Sequence, residues 1–276
     1  MAKAKAKRIF TYVFLSIVAF VSIFPFFWML VSSTNASVDV TKGRLLPGSA
    51  FLDNFNKLID STNLVQALGN SAIISVVSTV LALLIGSMAG YGFEVYRTKS
   101  RDVVFNILLL SMMIPFAAIM VPLYRMFATI SSVTPVIGIN TMASVILPTI
   151  TTAFLIFFFR QNTKMFPKDL LEAGRIDGLS ELGIFLKIYM PTMKTTYAAA
   201  AIITFMSSWN NYLWPLIVLQ TPDQQTIPLL ISNLGSGYAP DYGVIMTAIV
   251  IATLPTAIVF FIMQKHFVAG MVGSVK

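Results

Sequence analysis

The chain has 276 residues, 57% hydrophobic and only 11% charged, with a formal net charge of +8 and no cysteine. Soluble domains carry about 25% charged residues, so a soluble fold is excluded, and the basic residues lie between long apolar runs rather than on one nucleic-acid-binding face. Without cysteine there is no disulfide framework or thiolate metal site, and the single histidine, His266, leaves a histidine metal centre without partners.

The chain opens with Lys3, Lys5, Lys7 and Arg8, followed by a first apolar run over residues 9–31. Its apolar part is about twice the 7–15 residues of a signal-peptide core, which predicts an uncleaved anchor. Residues 32–63 form a loop long enough for small local structure. The second run, 64–93, exceeds one span, and its start, 64–71, is read as an outer re-entrant or interfacial turn. Gly86 and Gly90 make a small-xxx-small pair suited to close helix packing, a spacing that glycine-containing membrane segments also reach by chance. Runs three to six cover 103–124, 141–159, 195–219 and 243–264, and residues 129–140 between the third and fourth read as a short loop. None of the six runs contains Lys, Arg, Asp, Glu or His. Each meets the roughly 20 apolar residues that a helix needs to cross about 30 Å of hydrocarbon. Barrel strands would be shorter and would alternate, so the fold class is all-α: a polytopic membrane protein of about six transmembrane helices. Pro25, Pro115, Pro122 and Pro148 are expected to kink their helices or free backbone carbonyls.

The short loops fix an orientation. With the N-terminus inside, six spans put fifteen of the 19 basic residues inside and four (Lys42, Arg44, Lys57, Arg125) outside. Basic short loops stay in the cytoplasm, so both termini are predicted cytoplasmic.

The inner loop 160–194 carries the most information. Pro167 with Lys168 and Asp169 signals a helix start, and Asp177-Gly178 signals a stop. Ser180 and Glu181 begin a second helix over 181–188, and Pro191 ends it before the next span. The result is a helix-turn-helix at the inner membrane face. It either rests in the headgroup region or docks a cytoplasmic partner.

This loop resembles the "EAA" signature of ABC importer permeases: Glu-Ala-Ala, three residues, Gly, nine residues, Ile, one residue, Leu-Pro. The matching residues are Glu172, Ala173, Gly174, Gly178, Ile188, Met190 and Pro191, with Gly174 in place of the second Ala and Met190 in place of Leu. The string from Glu172 to Gly178, EAGRIDG, is similar to the sugar branch of that family. SWNNYLWPL (208–216), GINTMASVILP (138–148) and QKHFVAGMVGSVK (264–276) resemble further segments of its maltose-type branch, apart from a missing final Gly.

The resemblance implies one permease domain over 1–276, forming the translocation pathway of an ATP-driven carbohydrate importer. It implies a second related permease, two cytoplasmic ATPase subunits and an extracytoplasmic sugar-binding protein as partners, in a bacterial inner membrane. The cargo it implies is an oligosaccharide of the malto or α-galactoside type. The loop 160–194 would be the coupling element, with Glu172 pairing with a basic group on the ATPase, Ala173 and Gly174 allowing close approach, Gly178 permitting the turn, and Asp177 and Pro191 completing the motif. The tail 270–276, with Gly270, Gly273 and Lys276, would reach the ATPase interface. The outer loop 220–242 would enter the open binding protein. Trp209, Asn210, Asn211, Tyr212 and Trp214 are candidates for pore lining or sugar contact, with packing the more natural use of their aromatic rings.

Three other functions fit the sequence less well. An ion-coupled secondary sugar transporter needs intramembrane ionisable groups, and the spans have none, although backbone carbonyls serve for sodium. A membrane enzyme lacks any constellation of catalytic side chains. A purely structural anchor would not carry a coupling motif. No phosphate-loop motif occurs, so no cofactor is expected on this chain and ATP with its magnesium would bind the partner ATPases.

Overall fold

A computed structural model describes residues 2–272, with side chains described from residue 5 to 265 except Ala6. Every regular element among them is helical. Besides two short 3-10 turns (Leu147–Thr149 and Pro222–Gln224) and one π turn (Phe185–Tyr189), the α-helices in chain order are α1 (Ala2–Ser33), α2 (Ser37–Thr41), α3 (Phe51–Ser61), α4 (Leu64–Val95), α5 (Lys99–Ser111), α6 (Phe116–Ser131), α7 (Met142–Ile146), α8 (Ala153–Thr163), α9 (Lys168–Ile176), α10 (Glu181–Ile184), α11 (Met190–Thr192), α12 (Lys194–Trp209), α13 (Leu213–Val218), α14 (Ile227–Gly235) and α15 (Tyr242–Val272).

Among the described residues, four stretches are long and apolar enough to cross a membrane: Lys7–Ser33, Leu64–Val95, Met142–Thr163, which runs through α7, a short 3-10 turn and α8, and Tyr242–Lys265. The other two predicted spans are broken. The third run becomes α5 and α6, whose axes differ by 97°. The break falls at Pro115, which caps α6 with extended backbone; the residue before a proline is pushed out of the helical region, so the chain turns there. The fifth run becomes α12 and α13, separated by 210–212. Pro25 and Pro255, by contrast, sit inside continuous helices. The expected turn at 64–71 is also absent, because α4 is helical from Leu64 onward.

The chain divides into two compact units. The first comprises Met1–Leu64 and Leu230–Leu254. Its apolar side chains on α1 from Ile9 to Phe27 are mostly exposed, as lipid contact requires. The α1 hydroxyls fold back onto their own helix, Thr11 onto the Lys7 carbonyl at 2.9 Å and Ser22 onto that of Val18 at 2.8 Å, which hides them from hydrocarbon. At the end of α1, buried Asn54 donates to the carbonyls of Ser33 (3.0 Å) and Asn35 (2.9 Å), and Thr247 donates to the Ser33 carbonyl at 3.3 Å. Orphan carbonyls at a helix terminus need such partners.

The second unit comprises Val65–Leu229 and Pro255–Lys276. Within it, α4 lies against α8. A Cβ built at Gly90 would stand 2.7 Å from both the Arg160 amide nitrogen and the Phe159 Cβ, and one at Gly86 would stand 3.0 Å from the Leu155 Cβ. The small-residue pair is therefore the helix contact itself, and only a missing side chain permits it. The segment 220–229 is tied down rather than free. Asn70 donates to the carbonyls of Asp223 (2.8 Å) and Gln225 (2.9 Å), the Ser71 hydroxyl accepts from the Ile227 amide (2.8 Å), and Asn140 accepts from the amides of Gln220 and Thr221.

Candidate functional site

The segment 160–193 folds as an elbow. Helix α9 begins after Pro167, with Asp169 in its first turn, where a carboxylate suits the positive end of the helix. It stops in a Schellman motif. The Gly178 amide donates to the Arg175 carbonyl (3.1 Å) and the Leu179 amide to that of Gly174 (3.0 Å). Gly178 takes φ +77°, a conformation that costs a side-chain-bearing residue energy. Ser180 caps the second arm by accepting from the Gly183 amide at 3.2 Å. That arm runs through α10, a five-residue π turn (Phe185–Tyr189) and α11. Pro191 does not end it: the proline lies within the run, directly after the π turn, and the helix continues into α12 after a break at Met193.

The elbow has its own core of Tyr91, Phe166, Leu171, Ile184, Phe185, Tyr189 and Met193. Tyr189 is fully buried, with its hydroxyl 2.6 Å from that of Thr163, and its ring lies 4.8 Å from Tyr91 and 5.3 Å from Phe166. Leu171 and Gly174 face inward. A Cβ at Gly174 would stand 2.6 Å from the Ile188 Cδ1, so the close approach expected of this glycine is made inside the elbow, by its second arm. Glu172, Ala173, Arg175, Ile176 and Asp177 face outward.

Two ionic clusters, both missed by the sequence reading, fix the elbow to its neighbours. Arg160, with 5% of its side chain exposed, donates from Nε to Glu94 at 3.2 Å and from Nη2 to Asp102. Arg97 shares Asp102 at 3.0 Å, and the Phe105 ring centroid lies 4.0 Å from the Arg160 guanidinium carbon. A buried arginine requires this fork of carboxylates. The available signal was a charged residue directly beyond an apolar run on each of three helices. On the elbow surface, Arg175 bonds Glu181 at 2.8 Å, and the Tyr96 hydroxyl donates to the same carboxylate. These two donors, Arg175 first, hold the Glu181 carboxyl below its ordinary range.

The aromatic segment separates into packing and lining. Trp214 is 1% exposed, and its Nε1 donates to the Ser144 carbonyl at 2.8 Å. Trp209 is buried against Phe205. Asn210 donates to the Met206 carbonyl at 2.8 Å, and Tyr212 is partly exposed. Asn211 and one face of Trp214 line a cavity of about 440 Å³. Of the tail, only the backbone of 270–272 is described, in α15; Gly273 and Lys276 lie outside the described residues. Among the described residues no cluster of His, Asp and Glu is arranged to hold a metal ion.

Residues 82–273 match the family described as binding-protein-dependent transport system inner membrane component. The chain belongs to this family. It is 47% identical over 265 residues to the lactose transport system permease protein of Rhizobium radiobacter, covering 96% of this chain and 95% of that protein. It is 38% identical to the arabinooligosaccharides transport system permease protein of Halalkalibacterium halodurans, over 94% and 93% of the two chains. In fold it matches a chain of a bacterial ABC transporter involved in the import of the acidic polysaccharide alginate, with TM-score 0.84 at 21% identity over 97% and 98% of the chains. The permease is thus a multi-pass inner-membrane transport subunit of an ABC importer and not an enzyme. Membership sets aside the ion-coupled secondary transporter. Permeases of this family carry no cofactor, and ATP is used by a separate subunit.

Proposed function

We propose that this permease imports neutral carbohydrates, oligosaccharides foremost. It shares its translocation path with a second related permease, stands on two ATPase subunits, and receives cargo from an extracytoplasmic sugar-binding protein through the 220–242 segment. Both termini lie in the cytoplasm, as the distribution of basic residues favours. The observation that carries the reading is the outer face of α9. A self-supporting elbow presents Glu172 and Ala173 outward, and beside them Ile176 stands 86% exposed. An exposed apolar side chain next to a carboxylate on a rigid knob suits a partner's groove. The transport-system names of the 47% and 38% identical relatives support the substrate class.

In this reading, the ATPase cleft receives Glu172, Ala173 and Ile176. Gly174, Asp177, Gly178 and Pro191 shape the elbow behind them, so a movement of the ATPases is delivered to α12 without loss in a soft joint. The tail residues Gly270, Gly273 and Lys276 add a second ATPase contact.

The test is purification of the permease from its native membrane in mild detergent, followed by uptake in vesicles. The expected result is a complex with an ATPase and a second permease that takes up neutral oligosaccharide only with ATP. Glu172→Lys should insert normally yet lose more than about tenfold in uptake, since breaking a desolvated interfacial pair costs roughly 2–5 kcal/mol. Normal transport by that variant would remove Glu172 from coupling. A lone homo-oligomer whose uptake survives ATP depletion would overturn the reading.

A further inference from the structure

Thr204, Ser207, Ser208 and Asn211 follow one another at helical spacing along α12 and just past its end, and all four line the cavity of about 440 Å³ in the second unit. Residues at i, i+3, i+4 and i+7 share one helix face. None of the four side chains makes a hydrogen bond among the described residues. This is unlike the α1 hydroxyls, which close onto their own helix. A hydroxyl or amide left open within a membrane-spanning run has lost its water and gained nothing, unless the space beside it is wet or receives a polar ligand. The lining also has an aromatic part: Phe116 is 40% exposed, and its ring meets the buried Trp214 ring edge-on at 6.0 Å. No ionisable side chain lines the cavity. Its volume lies within the roughly 300–1,000 Å³ of small-molecule sites.

We propose that this cavity is a sugar subsite within the membrane: the stripe Thr204–Ser207–Ser208–Asn211 exchanges hydrogen bonds with the hydroxyls of a neutral saccharide whose apolar face rests on Phe116. Hydroxyls and amides both donate and accept, so they match a polyol in many orientations, as passage rather than tight capture requires. With no counter-charge present, an anionic saccharide would remain uncompensated there, so the subsite discriminates on charge. The subsite rests on the carbohydrate-importer reading and adds to it where the cargo touches this chain.

The chain has no native cysteine, so single thiols report cleanly. Cysteines replace Ser207, Asn211 or, as a control off the stripe, Met206, in the complete importer reconstituted in vesicles. Each is treated with a membrane-impermeant anionic thiol reagent, and the intact chain is weighed. Ser207→Cys and Asn211→Cys should label about tenfold faster than Met206→Cys, because reaction requires an accessible thiolate. A neutral panel of lactose, arabino-oligosaccharide and raffinose, supplied with the binding protein, should slow both; an oligogalacturonate should not. Equal labelling at 206 and 207, or labelling that no transported neutral saccharide slows, would overturn the subsite. ATP-dependent uptake by the unmodified chain in the same vesicles separates the two ideas. Uptake without protection sinks the subsite alone, whereas no uptake of any neutral saccharide sinks the importer reading beneath it.

Discussion

The elbow and the α12 stripe belong to the same compact unit and treat most of their polar groups in opposite ways, the buried Tyr91 hydroxyl being an unpaired exception in the elbow core. At the elbow, Arg160 is enclosed by Glu94 and Asp102, Arg175 and Tyr96 converge on Glu181, and Thr163 meets Tyr189. Along α12, Thr204, Ser207, Ser208 and Asn211 face a cavity with their hydrogen-bonding capacity unspent. An element that transmits force is served by satisfied, rigid contacts. A path that must bind and release a passing molecule is served by open ones. The comparison predicts that truncations at the elbow damage stability, whereas truncations on the stripe leave it intact and act on transport.

The largest effect is expected at Arg160. Arg160→Met leaves Glu94, itself 8% exposed, without its partner, and removing one member of a buried pair costs about 3–5 kcal/mol. Thermal unfolding of the purified complex in detergent measures this. Lys164→Met, on the exposed side of the same turn, and Ser207→Ala should each stay within about 0.5 kcal/mol of the parent. If Arg160→Met is equally silent, the elbow is not anchored by this cluster and the contrast fails.

The broad architecture was legible because membrane insertion leaves so coarse a signal. Six charge-free runs and the bias of fifteen to four in basic residues do not depend on tertiary detail. The Asp177-Gly178 stop was equally legible, since a positive φ leaves few choices of residue. What the pattern could not supply was the size of a kink. Pro25 and Pro115 look alike in sequence, yet one sits inside a continuous helix and the other caps a 97° bend. Pro191 carries the general signal of a terminator, but it follows a π turn, which changes the local hydrogen-bonding pattern, and the helix runs past it to Met193. The partners of Arg160 come from helices distant in sequence, so local spacing held no record of their meeting. The α12 stripe is present in the spacing, but the neighbouring Trp residues carry the stronger compositional signal for a sugar, and they are mainly core.

Two glycines sharpen the comparison at the next level down. A Cβ at Gly90 meets backbone, the Arg160 amide nitrogen at 2.7 Å and the Ile156 carbonyl oxygen at 3.0 Å. Neither atom moves without moving α8, so Gly90→Ala should cost about 1–3 kcal/mol by overpacking. A Cβ at Gly174 meets side chains and no backbone, the Ile184 Cγ1 at 3.1 Å and, closer, the flexible Ile188 Cδ1 methyl at 2.6 Å. Swinging that methyl aside is offset by the gain of roughly 1 kcal/mol from replacing a helical glycine with alanine. Gly174→Ala should therefore be near neutral, in line with the alanine that the family pattern has there. The same unfolding assay decides; a larger loss at Gly174 than at Gly90 would show the elbow to be the stiffer of the two contacts.

The smallest effect is the pH dependence of the surface latch. The Glu181 carboxyl is held below its ordinary range by Arg175 and then by Tyr96. A depressed folded value means that the contribution is fully present above the unfolded value of about 4.3 and is lost as pH falls through the lower folded value. Both side chains of the pair are substantially exposed, at 41% and 48%, so water screens most of the attraction and global unfolding should hardly register it. Hydrogen exchange of the amides in 175–184 is the fitting probe. In the parent it should be flat from pH 7 to about 5, after correction for intrinsic rates, and should rise below about 4. Glu181→Gln removes the charge while keeping the shape. It should show the loosened level at every pH, while the Arg160 cluster holds the base of the elbow in place. If Glu181→Gln instead exchanges like the parent at pH 7, Tyr96 and the Schellman turn hold α9 against α10 without the ion pair, and the elbow's rigidity lies entirely in its aromatic core.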